Sequence, residues 1–331
     1  MTCTQGKLQE PSLDTPHMKM RLTNNITSIF LIGFPDLHNL KFLFFSLLVL
    51  IYCGTIAGNL LIIVLYFGSK ALQSPMYFFI TQISLCDLLV TTDIVPTILH
   101  TVLYGGSSMT FISCIIQVSI FATSVSSECF LLSVMSYDRY VAICNPLRYH
   151  SIMTHRLCVT SLNVIWLVSF SIMLIDMICV NSFHFCGPHV IDHLYCDLEP
   201  LVQLSCSDTS IFHTQGLIIG FFVGMVPVII IVMSYTCIVL TILKIPSNTG
   251  RRKAFSTCSS HLTVVSIFYG SLIIVYMFPK RGRSQISSKV LSLIYTVLTP
   301  MLNPIIYTLR NQDFKEALHK FNMVLSGHLL H

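Results

Sequence analysis

"MSYDRYVAICNPLRY", residues 135–149, closes a long apolar run and sets Asp138 beside Arg139 where a buried stretch meets a polar one. What that pair can do depends on what surrounds the rest of the chain. The 331 residues are 53% hydrophobic and only 10% charged, with a mean hydropathy of +0.75. A water-soluble domain carries roughly 25% charged residues, because its surface must face water. The deficit assigns much of this surface to a membrane. The formal charge of +5 is small and dispersed, with no block of five or six like charges, so a nucleic-acid partner is not indicated.

The hydrocarbon core of a bilayer is about 30 Å thick, and crossing it takes about 20 apolar residues. Seven segments qualify: 41–67, 76–102, 113–140, 158–180, 213–243, 254–278 and 288–309. The second, third and sixth hold polar residues and are expected to pack inside a bundle rather than face lipid. Beyond Arg310, Phe314, Leu318, Phe321 and Leu325 fall on one helical face, which suits the membrane surface. The expected fold is all-α and membrane-integral, a seven-helix bundle followed by a short amphipathic helix. Residues 1–40 form an extracellular N-terminus, 41–309 the bundle, and 310–331 a cytoplasmic helix and tail.

The first 27 residues hold no apolar h-region, so the first span is expected to serve as its own insertion signal. "NIT" at Asn25 is a glycosylation sequon just ahead of that span, which favours an N-terminus outside the cell. Residues before Met18 or Met20 are expected to be dispensable. Of the 19 Lys and Arg, this orientation places eleven inside and eight outside. "PKRGR" at 279–283 narrows that margin, whereas loop 181–212 has no Lys or Arg and carries Asp192, Asp197, Glu199 and Asp208. That acidic loop belongs outside, and seven crossings then leave the C-terminus in the cytoplasm.

Cys186, Cys196 and Cys206 lie in the same loop among His184, His189 and His193. Their spacing lacks the CxxC pairs of a structural zinc site, and the compartment is oxidising, so disulfides are the expected outcome. Three cysteines need a fourth, and Cys114 at the start of the third span supplies it; which pairs form stays open. With Cys114 at the outer face, Arg139 lies 25 residues further on, about 37 Å along a helix. Asp138 and Arg139 therefore reach the inner face, where a cytoplasmic partner has access.

Five further stretches appear in order at the matching spans: "GN" at 58–59, "LQSPMYFFI" at 72–80, "SY" at 234–235, "KAFSTCSSH" at 253–261 and "PMLNPIIY" at 300–307. Together with residues 135–149 they resemble the signatures of odorant (olfactory) receptors, a branch of the rhodopsin-like G-protein-coupled receptors, and "KAFSTCSSH" resembles the tetrapod-type (class II) members. The likeness runs from about Asn25 to Arg310. It implies a receptor of the plasma membrane that binds a small volatile odorant and raises cAMP through a stimulatory heterotrimeric G protein of the olfactory type.

The resemblance also implies roles for particular residues. It pairs Cys114 with Cys196 and Cys186 with Cys206. It makes Asp138, Arg139 and Tyr140 the switch, with Tyr235, Tyr307, Pro146 and Leu147 lining the G-protein groove. It brings Asn59, Asp87, Glu128 and Asn303 into a polar core that takes up a sodium ion or a proton; no other cofactor is implied. It places the ligand among Phe121, Ala122, Val125 and Ser126 of the third span, Val223 of the fifth, Tyr269, Ile273 and Tyr276 of the sixth and Thr296 of the seventh, under Leu198. Those residues are apolar with a few hydroxyls, as a small volatile requires. Pro227 and Pro304 are expected to weaken the fifth and seventh helices and so permit two packings. Asp93 and Asp176 have no assigned role, and His261 is expected to hold the end of the sixth span.

A chemosensory receptor of the same fold used outside olfaction is the nearest alternative. A transporter is disfavoured by the odd span count and the lack of two repeated halves. An enzyme is disfavoured because HExxH, GxSxG and a nucleotide loop are all missing from the sequence.

Overall fold

The computed structural model describes residues 27–34, 40–186, 189–277 and 285–328. Among them are seven helices long and apolar enough to cross a membrane. The first four are Lys41–Gly68, Pro75–Tyr104, Phe111–Cys144 and His155–Asn181. The fifth runs over Ser210–Leu243, the sixth begins at Asn248 and continues through Met277, and the seventh spans Gln285–Arg310. Gln312–His328 forms an eighth, shorter helix.

Several helices outrun their apolar stretch because local polar groups set their ends. Thr110 caps the third span by accepting from the Ser113 N–H at 3.1 Å. Ser247 caps the sixth through the Gly250 N–H at 3.3 Å, starting that helix six residues before the expected 254. The second span stops at Gly105, whose φ of 76° lies in the left-handed region that favours glycine.

Burial sorts the spans. The apolar windows of the second, third and seventh are 61%, 56% and 56% buried, against 11% for the fifth. The sixth, expected to be interior, is 39% buried; the seventh takes the third interior place. Ile83, Ile94, Leu131, Phe268 and Tyr307 are among the large side chains buried between them.

Wide π turns interrupt three spans, at Phe221–Met225, Ile273–Met277 and Ile294–Leu298. Two of them lie just ahead of Pro227 and Pro300. Proline has no N–H and crowds the carbonyl four residues back, and a wider turn relieves that clash. The ring of Pro304 lies against the first span. A Cβ built on Gly58 would stand 3.0 Å from Pro304 Cγ, so glycine allows the two helices to approach.

The end of the bundle that carries Cys114 is closed by a small sheet that the sequence did not announce. Strand β1 (Ser28–Ile32) lies between β2 (Gly106–Thr110), to which it is antiparallel, and β3 (Val190–Ile191), to which it is parallel. Ile29 and Leu31 alternate inward, fully buried, and pack with Cys114, Val118, Ile191 and Cys196.

Candidate functional site

At the Arg139 end, the Asp138 carboxylate is fully buried and both of its oxygens are engaged. Oδ2 accepts from Arg139, through Nε at 2.9 Å and through a second guanidinium nitrogen. Oδ1 accepts from the Tyr149 hydroxyl at 2.8 Å. Burial and the Asp138 carboxylate push the Tyr149 phenol above its usual pKa, so it remains a donor. A buried charge is tolerated only when it is paired and hydrogen-bonded, and this arrangement satisfies both charges locally. Sequence reasoning missed Tyr149, although it ends the quoted stretch.

Around the pair stand residues from distant spans. Tyr235 Oη lies 2.6 Å from His261 Nδ1, with the two rings stacked at 5.9 Å, which ties the fifth span to the sixth. Arg139 is within electrostatic reach of Tyr235 and His261. Tyr307 is buried, and among the described residues its hydroxyl has no hydrogen-bond partner. Tyr140 is partly buried and its ring lies 6.1 Å from that of Tyr137. Pro146 opens a short turn over Pro146–Arg148, and Leu147 in that turn is 100% exposed.

Midway along the bundle, Asn303 Nδ2 donates to both Asp87 oxygens, at 3.2 and 3.0 Å. Asn59 is buried beside this network but turns its amide to the carbonyls of Thr55 and Pro300, at 3.0 and 3.3 Å. Glu128 is buried within coulombic reach of Asp87. Tyr307 is within reach of both carboxylates and of Tyr235, which links the polar core to the Arg139 end. Among the described residues, Asn59 Oδ1, Asn303 Oδ1, Thr91 Oγ1 and Ser124 Oγ are buried without a hydrogen-bond partner.

Above Glu128 the helices enclose a cavity with room for about one water molecule, roughly 10 Å³. Phe121, Val125 and Thr296 line it, with Val90, Phe268 and Tyr295. The remaining expected ligand residues are dispersed. Ala122 is partly buried and Ser126 buried on the third span, and Val223 is buried in the π turn of the fifth. Tyr269 is buried, and its hydroxyl donates to the Cys129 carbonyl at 3.2 Å. Leu198 packs with the cluster around Cys114 and Cys196 instead of with Phe121. Ile273 is 45% exposed, an apolar side chain on the bundle's outer surface, and does not join the interior set. The Tyr276 side chain and the Asn25 sequon lie outside the described residues.

The Cys114 end is heavily fastened. The pairs are Cys114–Cys196 and Cys186–Cys206, with Cα separations of 5.4 and 5.9 Å. Gln117 accepts from the Cys196 N–H at 2.8 Å and donates to the Asp93 carbonyl at 2.8 Å and to Thr97 Oγ1 at 3.1 Å. His193 meets Ser292 Oγ at 3.1 Å. Tyr195 packs edge-on against Phe121 with ring centres 6.0 Å apart, so the loop forms the roof of the cavity side. Lys289, one of the eight cations counted on the outer side, is 2% exposed. It binds Asp192 and donates to the carbonyls of Gly33 at 2.8 Å and Ile32 at 3.2 Å. A signal for it existed: Lys289, Ser292, Thr296, Thr299 and Asn303 recur at helical spacing, and all five are buried. Asp176, unassigned from sequence, accepts from Gln215 Nε2 at 2.7 Å and joins the fourth span to the fifth.

A seven-helix bundle with a paired Asp–Arg at one end, an acidic polar core and a disulfide-pinned roof defines a multi-pass membrane receptor of the G-protein-coupled class. The family model described as "Olfactory receptor" matches residues 45–325. Olfactory receptor 1G1 of Gorilla gorilla gorilla is 44% identical over 308 residues, covering 92% of this chain and 98% of that protein. Olfactory receptor 6B2 of Homo sapiens is 40% identical over 295 residues, covering 89% and 95%. Olfactory receptor 11L1 of Homo sapiens is 41% identical over 303 residues, covering 92% and 94%. The chain belongs to the olfactory receptor family. It is an odorant-activated G-protein-coupled receptor of the plasma membrane, and not an enzyme.

Proposed function

We propose that a small volatile ligand enters beneath the Cys114 end, enlarges the cavity at Phe121, Val125 and Thr296, and thereby frees Arg139 to admit a G protein. The observation that carries this reading is the position of Glu128. It lines the cavity and is also the neighbour of Asp87, while Tyr307 stands within reach of both carboxylates and of Tyr235. A change in cavity shape therefore has a packed polar route to the Arg139 end. Tyr195 and Tyr295, which sequence reasoning did not single out, join the ligand set because both pack on Phe121 at 6.0 Å. Of the residues first expected, Ala122, Ser126, Val223 and Tyr269 remain as a second ring, and Tyr276 stays with them on the sequence pattern alone.

The polar core is suited to sodium, a hard cation that prefers oxygen ligands. Asp87 and Glu128 would hold it, with Asn59 Oδ1 and Asn303 Oδ1, two acceptors that are buried and unengaged among the described residues. Such a cation would offset the cost of two carboxylates so close together.

The orientation follows the charge asymmetry. The acidic loop 181–212 and residues 1–40, with a glycan on Asn25, lie outside; residues 310–331 lie in the cytoplasm, and 41–309 form the membrane unit. The partner is the stimulatory olfactory G protein, received between Arg139, Tyr235, Tyr307 and the exposed turn at Pro146 and Leu147. The test is a cAMP assay against a broad odorant panel in cells supplied with that G protein. A few small volatiles should evoke cAMP, and Arg139→Ala should abolish the response at equal surface level. A response unchanged in Arg139→Ala would remove Arg139 from the mechanism.

A further inference from the structure

The helix Gln312–His328 is more than a membrane-surface segment, because it is bolted to the second span. Phe314 is fully buried and meets the Tyr77 ring edge-on at 5.2 Å. Ala317 is buried and Leu318 partly so on the same face. Asn311 stands between the seventh span and this helix, and its Oδ1 accepts from the Asp313 N–H at 3.0 Å. The Tyr77 hydroxyl touches Asn311 Oδ1 at 3.1 Å, but its closer partner is Asp313 Oδ2, at 2.5 Å. A phenol has one proton to give, and the carboxylate is the stronger acceptor.

Two features set this bond apart from ordinary packing. Tyr77 is buried while Asp313 is exposed, so the bond can be competed for from outside the receptor. Tyr77 also carries the start of the eighth helix, through Asn311 at 3.1 Å and the Phe314 ring at 5.2 Å, so losing the bond loosens that helix. We propose that Tyr77 and Asp313 form a second restraint on the resting receptor, in which Asp313 is the handle taken by a cationic side chain of the G protein and Tyr77 is the positioning residue that holds it against the second span. This rests on reading the Arg139 end as the G-protein cleft. Capture of Asp313 strips Tyr77 of its acceptor, loosens the start of the eighth helix and weakens the packing on the inner face of the second span.

Tyr77→Phe removes one oxygen and keeps the ring against Phe314, and Asp313→Ala removes both acceptor oxygens along with the charge. Basal and odorant-evoked cAMP are measured per surface receptor for each variant and for the pair, beside Arg139→Ala. Tyr77→Phe should raise basal cAMP about five-fold with the evoked response kept. The Asp313 variant, which frees Tyr77 but also loses the handle, should show a reduced evoked response, and the double variant should match the Asp313 variant. As a second readout, a spin label at Lys320→Cys in purified receptor should gain mobility in Tyr77→Phe. Basal and evoked cAMP equal to the unmodified receptor, with Arg139→Ala silent, would overturn the proposal and leave the cleft reading standing. A full response in Arg139→Ala would overturn both.

Discussion

Two largely buried cations sit at opposite ends of this bundle, and the chain holds them differently. Lys289 is bound by Asp192, Ile32 and Gly33, which lie 97 to 257 residues away in sequence. Arg139 is bound by its own neighbour, Asp138, with Tyr149 completing that carboxylate only eleven positions on. The Lys289 ammonium ties the seventh span to the N-terminal strand and the long loop, so losing it loosens three segments at once. The Arg139 site can open by a rotation of one side chain, with little change elsewhere. Long-range bonding, reinforced by two disulfides, makes the Cys114 end a fixed roof; local bonding suits the Arg139 end to the switch proposed for it.

The largest effect expected from breaking this contrast is loss of the roof. Cys114→Ala should reduce surface receptor at least ten-fold, because the bond spans 82 residues and closing a loop of that size contributes about 4–5 kcal/mol. Cys196→Ala should match it and the double variant should be no worse, as flow cytometry of an epitope-tagged receptor would report. Lys289→Met comes next. It leaves two backbone carbonyls and Asp192 unpaired, though Asp192 is 42% exposed and recovers some solvation. A cost of about 2–3 kcal/mol should appear as a lower unfolding temperature of purified receptor. Gly58→Val should cost about 1–3 kcal/mol by pushing Pro304 from the first span, lowering surface level without altering basal signalling per receptor. The smallest change falls at the switch. Tyr149→Phe removes one of the bonds on Asp138 and should raise basal cAMP about five-fold at unchanged surface level, a loss of about 1 kcal/mol of restraint.

The sequence carried the spans and the switch more legibly than the roof or the pocket. Spans announce themselves because a membrane demands long apolar runs; what was misjudged is their ends, where Thr110 and Ser247 prolong helices into polar sequence, and the interior place given to the sixth instead of the seventh. The pair at 138–139 is contiguous, so its geometry is nearly written in the chain. The three-stranded sheet is not, since "SIFLI" at 28–32 pairs with partners about 80 and 160 residues away. Lys289 was not singled out because a lone lysine near a helix end is usually solvated, and only the stripe through Asn303 argued otherwise. The ligand set was the least legible part. Ile273 shares its helical spacing with interior residues, and packing alone separates an exposed apolar side chain from a buried one; Leu198, placed under the loop by position alone, packs on the Cys114 cluster instead.

The central claim is that the two ends differ in mobility, and a pair of distances tests it directly. Spin labels at Leu157→Cys and Phe255→Cys report the Arg139 end, and labels at Tyr104→Cys and Ile211→Cys report the Cys114 end, with the exposed Cys53 and Cys237 replaced by serine. Distances are measured in purified receptor before and after the stimulatory olfactory G protein is added. The account predicts that the first separation grows by about 5 Å or more while the second changes by no more than about 1 Å. Equal movement at both ends, or movement confined to the Cys114 end, would contradict it.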